Sequence, residues 1–270
     1  MTIYGLHQTN PAIKLLQRAL NEKLSLTLLA DGNMGKITQE ALRVYQEAQG
    51  CAETNQYGVC YGEATQRSLR PFVETKYLSA TALQDTALRL GVDVASVQAV
   101  TLTEAKEFGF LPSGFPVILF ERHKFYKYLA IARGVPFAEK ISALNPELCN
   151  PKMGGYKGGA AEVGRLNAAL AIDANSAYLS ISSGLFQLMG FNFKACGYPS
   201  AAVMFEAMKV SEAKQLDAFA SFILSDGALL RALRAKDWVT FARLYNGAAY
   251  AINQYHLKLR ANYILARQGA

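Results

Sequence analysis

Two acids stand where a carboxylate is chemically conspicuous. Asp93 predicts an N-cap for a helix over residues 94–108 that stops at Gly109, and within it Val97, Val100, Glu104 and Phe108 share one apolar face. Burial and the negative end of the helix dipole both oppose a charge at Glu104. The raised pKa that results suits a general acid working near neutral pH. Spacing alone equally admits a Glu104 that reaches the domain edge or pairs with a Lys or Arg, and it leaves Glu107 as a rival one turn later. Glu121 follows the apolar run 116–120 and opens a second helix, where an acid ordinarily stabilises the first turn. Two carboxylates on one cleft would supply the acid and base, or the acid and charge stabiliser, that cleavage of a glycosidic bond needs. Hydroxyl, amide and phenol groups able to hydrogen-bond an N-acetyl sugar occur at Ser183 and Gln187, and at Tyr245-Asn246 before Gly247. The plain reading of the stretch 182–192 is a tight start to a helix packed on the core. The glycine-rich run 154–159 is not a phosphate loop, since no Gly-Lys-Ser/Thr follows it.

The elements that must hold these groups belong to a chain of 270 residues, 51% hydrophobic and 18% charged, with a formal net charge of +7. That composition belongs to a folded protein of one or two domains. The positive balance suggests an anionic partner: nucleic acid, a bacterial envelope or acidic lipid. No helix-turn-helix or aromatic–basic pattern supports nucleic acid. Residues 1–75 carry seven basic and seven acidic residues, so the excess lies in the remainder, above all in Arg231, Arg234, Lys236, Arg243, Lys258, Arg260 and Arg267. The four cysteines form no CxxC pair and the three histidines lie far apart, so no zinc site is expected, and acid catalysis on an acetal would need no cofactor. Cys51 and Cys60 are near enough in sequence to close a disulfide in an oxidising space. Neither a signal peptide nor a membrane-spanning run is evident, and synthesis in the cytoplasm is the expectation.

The first segment is helical. Asn10-Pro11 starts a helix with Ile13, Leu16, Leu20 and Leu24 on its buried stripe, and Thr38 can cap a second helix bearing Ala41, Leu42, Tyr45 and Ala48. Gly35, Thr38, Ala41 and Leu42 are echoed 27 residues later by Gly62, Thr65, Ser68 and Leu69, a short internal duplication. Pro71 interrupts the helical pattern, which sets the domain junction there. At the other end, residues 254–267 read as a terminal helix with Tyr255, Leu259, Asn262, Tyr263 and Ala266 inward.

Leu15-Leu16-Gln17-Arg18-Ala19-Leu20-Asn21, Asp31-Gly32-xx-Gly35-xx-Thr38-xx-Ala41-Leu42-xx-Tyr45-Gln46 and Gly62-xx-Thr65 resemble the three-helix peptidoglycan-binding domain of cell-wall hydrolases. Residues 57–62 depart from that pattern by one extra residue between the glycines. The later series resembles the N-acetylmuramidase domain of modular phage endolysins: Ala99-Val100-xxx-Glu104, Gly109-Phe110, Leu119-Phe120-Glu121-Arg122-His123, Gly154-Gly155-Tyr156, the run 183–192, Asp237-Trp238 and Tyr245-Asn246-Gly247. That family is similar to goose-type lysozymes and lytic transglycosylases, where a helix-borne Glu precedes a Gly-Leu-x-Gln turn and a Tyr-Asn pair. This chain has Thr103-Glu104-Ala105 where Val-Glu-Ser is frequent, and Ser183 where Trp is common.

The resemblance implies a mainly α protein, with a small three-helix peptidoglycan-binding domain (1–72), a linker (73–80) and a larger lysozyme-like helical catalytic domain (81–270). It assigns the general-acid role to Glu104, an assisting role to Glu121 and sugar contacts to Ser183, Gln187, Tyr245 and Asn246. The implied activity is hydrolysis of the β-1,4 bond between N-acetylmuramic acid and N-acetylglucosamine, with lytic transglycosylation or a non-catalytic wall-binding or tail role as alternatives. A monomer is expected, acting on periplasmic peptidoglycan after holin-type release. The basic C-terminal region is a candidate contact for anionic outer-membrane lipid or lipopolysaccharide.

Overall fold

The computed structural model describes residues 3–105, 108–247 and 250–268. The chain divides into two compact units: Met1–Tyr77 with Phe110–Phe115, and Leu78–Gly109 with Pro116–Ala270.

The first unit is built on α1 (Pro11–Leu24), α2 (Lys36–Gln49) and α3 (Glu63–Lys76), with a ribbon of β1 (Thr54–Asn55) and β2 (Gly58–Val59) between the last two helices. The Asn10 side chain accepts from Ala12 N–H and caps α1, as its sequence suggests. Ile13, Leu16, Leu20, Leu42, Tyr45 and Leu69 form the core. The duplicated phrase has a structural meaning different from the one expected. Thr38 and Thr65 do not cap their helices; Gly35 and Gly62 occupy the caps. Each threonine instead accepts from a buried glutamine: Gln17 Nε2 to Thr38 Oγ1 at 3.1 Å, and Gln46 Nε2 to Thr65 Oγ1 at 2.7 Å. Each glutamine also bonds the backbone of the loop before that threonine, through Gly32 N–H and Asn33 O in one case, and Glu53 N–H and Cys60 O in the other. The duplication is therefore a repeated clasp that fixes loop to helix. Pro71 does not end α3, and residues 73–80 are not a linker. The helix runs on to Lys76 because Phe72 and Val73 pack on the core, and the division falls after Tyr77. Residues 110–115 complete this unit, with Arg18 Nη1 donating to Phe110 O and Tyr77 meeting the Phe110 ring edge-on. Cys51 and Cys60 are free thiols.

The second unit contains α4 (Ala80–Leu90), α5 (Val94–Glu104), β3 (Ile118–Phe120), α6 (Arg122–Arg133), α7 (Val135–Leu144), α8 (Ala161–Leu170), α9 (Ala174–Leu179), β4 (Ile181–Ser183) and β5 (Leu188–Met189). After these come α10 (Ala201–Met208), α11 (Glu212–Ser225), α12 (Gly227–Ala235), α13 (Trp238–Asn246) and α14 (Tyr255–Gln268). The three strands form an antiparallel sheet in the order β3-β4-β5. The core gathers around α11, whose Leu216, Phe219 and Ile223 are buried with Phe186, Trp238, Phe241 and Leu259; the Phe186 and Phe219 rings stack at 4.3 Å. Two expectations are corrected here. Residues 182–192 form a β-hairpin and a short 3-10 turn, not the start of an α-helix. Helix α5 ends at Glu104 rather than Phe108: Thr101 and Thr103 turn their hydroxyls back onto Val97 O and Ala99 O, and Gly109 is bonded elsewhere. Among the described residues no helix is long and apolar enough to cross a membrane.

The clasp in the first unit predicts that Gln46→Leu, which leaves Glu53 N–H and Cys60 O without their side-chain partner, destabilises that unit by about 1–3 kcal/mol. Urea unfolding followed by amide exchange should show the loss at residues 53–65; an unchanged midpoint would contradict the role given to Gln46.

Candidate active site

Glu104 is the last residue of α5, where the helix's own carbonyls point outward and oppose a second negative charge. Helix α14 lies along α5 and fixes it: Asn262 Nδ2 donates to Thr103 Oγ1 at 3.0 Å, and Tyr263 Oη donates to Asp93 Oδ2 at 2.9 Å. The inward face expected for the terminal helix is the observed one, with Leu259 fully buried. Asp93 caps α5 through Ser96 N–H.

Burial pushes the Glu104 carboxyl up to about 7, against a hydrogen bond from Asn246 and the positive charge of Lys258, both of which pull it down. The amide Nδ2 of Asn246 reaches both carboxyl oxygens, at 3.1 and 3.3 Å. Asn246 Oδ1 is buried with no hydrogen-bond partner among the described residues. These two residues meet because of α13. Asp237 caps that helix, Trp238 and Phe241 anchor it in the core, and Tyr245 and Asn246 emerge at its end. The Tyr245 ring meets Phe219 edge-on at 5.3 Å, and its hydroxyl donates to Phe186 O at 3.2 Å. Burial raises the Tyr245 phenol well above its ordinary value, with the Glu104 charge adding to the shift, so the hydroxyl stays a donor.

The Phe186 carbonyl belongs to the turn 184–187 between β4 and β5. Gln187 sits in that turn with φ +48° and holds it closed: Nε2 donates to Gly184 O at 2.9 Å, and Oε1 accepts from Ser182 Oγ at 2.8 Å. Gln187 is exposed, but its amide is committed to this frame. Ser183 is buried at the end of β4, paired with Ile118 and Leu188, so a sugar contact through its hydroxyl is not supported.

The second acid has partners of its own. Glu121 precedes α6 without capping it. Its carboxylate accepts the Tyr156 hydroxyl at 2.9 and 3.1 Å, and His123 Nδ1 lies 3.1 Å from Oε2 without hydrogen-bonding geometry. Glu121 N–H bonds Ser180 O, at the end of the sheet opposite the turn that touches Tyr245, where Gly184 N–H bonds Val117 O. The four residues from Val117 to Glu121 span about 13 Å of strand. Glu104 and Glu121 share no hydrogen-bond partner among the described residues. Glu107 lies outside the described residues.

Two determinants escape sequence reading. Glu212 and Gln215 are buried on the first turn of α11, and together they bind the segments flanking the site. Glu212 accepts from Leu78 N–H and Gly109 N–H; Gln215 accepts from Leu185 N–H at 2.6 Å and donates to Met208 O at 2.9 Å. A Cβ on Gly109 would stand 1.9 Å from Gln215 Oε1, and one on Gly184 2.7 Å from its Cδ. Polar residues three apart on an otherwise apolar helix face are the only signal they leave. The glycine-rich loop is also explained: Lys157 N–H and Gly158 N–H point at the buried Glu162 carboxylate, which also pairs with Arg165. No group of side chains able to hold a metal ion occurs among the described residues.

Because folding raises the Glu104 pKa from its ordinary 4.5 to about 7, the folded state favours the protonated acid. Its contribution to stability is intact below about pH 4.5 and is lost as pH rises through about 7. Glu104→Gln, which cannot ionise, should match the wild type at about pH 4 and exceed it at about pH 8, by on the order of 3 kcal/mol. Urea midpoints at the two pH values check this; a wild type that is more stable than the variant at the higher pH would contradict it.

Residues 93–266 match the N-acetylmuramidase family, and residues 9–59 match a peptidoglycan-binding domain family. Among solved structures, the chain is similar to the endolysin of Burkholderia phage AP3, with 40% sequence identity, a TM-score of 0.69 and alignment over 99% of this chain and 100% of that one. No curated protein matches. The acid at the end of α5, with the Tyr-Asn pair of α13 against it, lies within the matched catalytic region. The chain belongs to the N-acetylmuramidase family of lysozyme-type glycoside hydrolases, joined to an N-terminal peptidoglycan-binding domain in the manner of a modular phage endolysin that cleaves peptidoglycan.

Proposed function

We propose that Glu104 is the general acid that protonates the glycosidic oxygen between N-acetylmuramic acid and N-acetylglucosamine. The observation that carries this reading is the buried carboxyl at the end of α5, poised at about 7 and held by Asn246. A carboxyl protonated half the time near neutral pH can deliver its proton and take another. The Asn246 amide serves both states, since it offers NH2 to the carboxylate and, rotated, C=O to the acid. Tyr245 and Gln187 set the wall of the site through the 184–187 turn, and their exposed faces line the path of the sugar. A direct covalent nucleophile would stand about 5 Å from the acid. Glu121 is engaged by Tyr156 at the other end of β3, which favours water as the attacking group and leaves Glu121 to act through a water or as a fixed negative charge.

Product analysis on purified peptidoglycan tests these roles. Wild type should yield reducing-end products heavier by one water than 1,6-anhydro products; Glu104→Gln should lose at least about a thousandfold in rate, and Glu121→Gln about ten- to a hundredfold. Anhydro products would identify a lytic transglycosylase. Equal inertness of wild type and Glu104→Gln would favour a wall-binding role.

We further propose that the outer face of α14 contacts anionic lipid or lipopolysaccharide once a holin-type lesion has given a monomeric chain access to the envelope. Leu257 and Ile264 are about half exposed, stand two turns apart, and are flanked by the exposed Arg260 and Arg267. Apolar side chains between cations suit an anionic membrane surface. Glu104→Gln protein should co-sediment with vesicles containing anionic phospholipid, and Arg260→Glu with Arg267→Glu should abolish this; equal partition onto neutral vesicles would contradict it.

A further inference from the structure

Residues 26–30 of the first unit run from the left-handed Ser25 cap of α1 to the turn at Asp31. Burial alternates along it, with Leu26 and Leu28 facing the core and Thr27 and Leu29 facing out. The Asn21 side chain satisfies both backbone groups of Leu28, at 2.6 and 2.9 Å, and Leu26 N–H bonds Asn21 O. The backbone N–H and C=O groups of Thr27 and Leu29 have no partner among the described residues. The segment thus presents an unpaired, strand-like backbone edge, the arrangement to which an extended peptide can add.

Two adjoining cavities, about 720 and 530 Å³, open beside this edge and share Leu26, Leu28, Lys36 and Ile37. Leu29 and Ile37 flank them, 78% and 77% exposed, an unusual placement for two large apolar side chains so close together. Asp31 lines the larger cavity, Glu40 the smaller, and Lys36 both. Gln17 and Asn33 hold the Asp31 carboxyl below its usual range, so it is a fixed negative charge. No Phe, Trp or Tyr lines either cavity, and a sugar ring would find no aromatic face to stack on.

We propose that this edge and groove bind the peptide stem of peptidoglycan, taken in extended form along residues 26–30, rather than the glycan strand. The stem has backbone amides for the unpaired edge and alanine methyl groups for the Leu26–Leu28–Ile37 floor. Its free carboxylates suit Lys36, and the side-chain ammonium of a diamino acid suits Asp31 or Glu40. The inference rests on the assignment of the first unit to wall binding, and names the part of the wall that is held and the face that holds it.

The test uses the full chain carrying Glu104→Gln, which binds without digesting. Sugar-free stem tetrapeptide should shift the amide resonances of residues 26–31 and 36–37 and displace the protein from sacculi, whereas glycan strands freed of peptide by an amidase should do neither. Ile37→Asp and Leu29→Asp, both at exposed positions that leave the core untouched, should weaken binding to sacculi about tenfold or more. Displacement by peptide-free glycan, or unchanged binding in both variants, would overturn the proposal. Failure of the Glu104→Gln chain to bind intact sacculi would instead remove the wall-binding assignment on which the proposal stands.

Discussion

The buried pair Glu212 and Gln215, at the start of α11, holds together the segments from which the catalytic unit builds its site. Glu212 and Gln215 take up backbone groups of Leu78, Gly109, Leu185 and Met208, four places far apart in sequence. Each such group left unbonded in the interior would cost about 1–3 kcal/mol, so the bonds act as a set. The price of the arrangement is paid in side chains: positions 109 and 184 are glycine because Gln215 occupies the space a Cβ would fill. With these strands of backbone fixed, the 184–187 turn can offer Phe186 O to Tyr245, and Tyr245 in turn sets the end of α13 from which Asn246 reaches Glu104.

The electrostatics of the site follow from that placement. Glu104 combines two unfavourable conditions for a charge: burial and the terminus of its own helix. One amide and one lysine moderate them. The balance leaves the carboxyl near neutrality instead of making it a permanent acid. A salt bridge would have removed the proton altogether, and an apolar pocket without Asn246 would have held it too firmly. Glu121 shows the contrast. It has a phenol donor and a neighbouring imidazole and sits at the edge of the sheet, where it anchors Tyr156 in the loop beyond α7.

Much of this was legible in the residues. Helix α1 with its Asn10 cap, the inward face of α14, and Glu104 on an apolar face are local patterns that period and capping rules recover. The link from Glu104 to Asn246 was not legible by spacing, because it joins residues 142 apart; only the ordered motifs of the family bring them together. Three misreadings share one cause, since tertiary contacts overrode local propensity. Pro71 stays helical because Phe72 and Val73 have a core to enter. Thr38 and Thr65 are drawn from capping to buried glutamines, and α5 stops at Glu104 because Gly109 is claimed by α11. Ser183, read as a sugar contact, is a sheet residue whose burial depends on both neighbouring strands.

The fold itself sets Glu104 to exchange a proton near neutral pH. Carboxyl-carbon NMR of the full chain, with Glu104 assigned by comparison with Glu104→Gln, measures this directly. The expected titration midpoint lies near 7 and moves upward in Asn246→Ala as the hydrogen bond that favours the anion is lost. A midpoint near 4.5 that is unmoved by Asn246→Ala would contradict it.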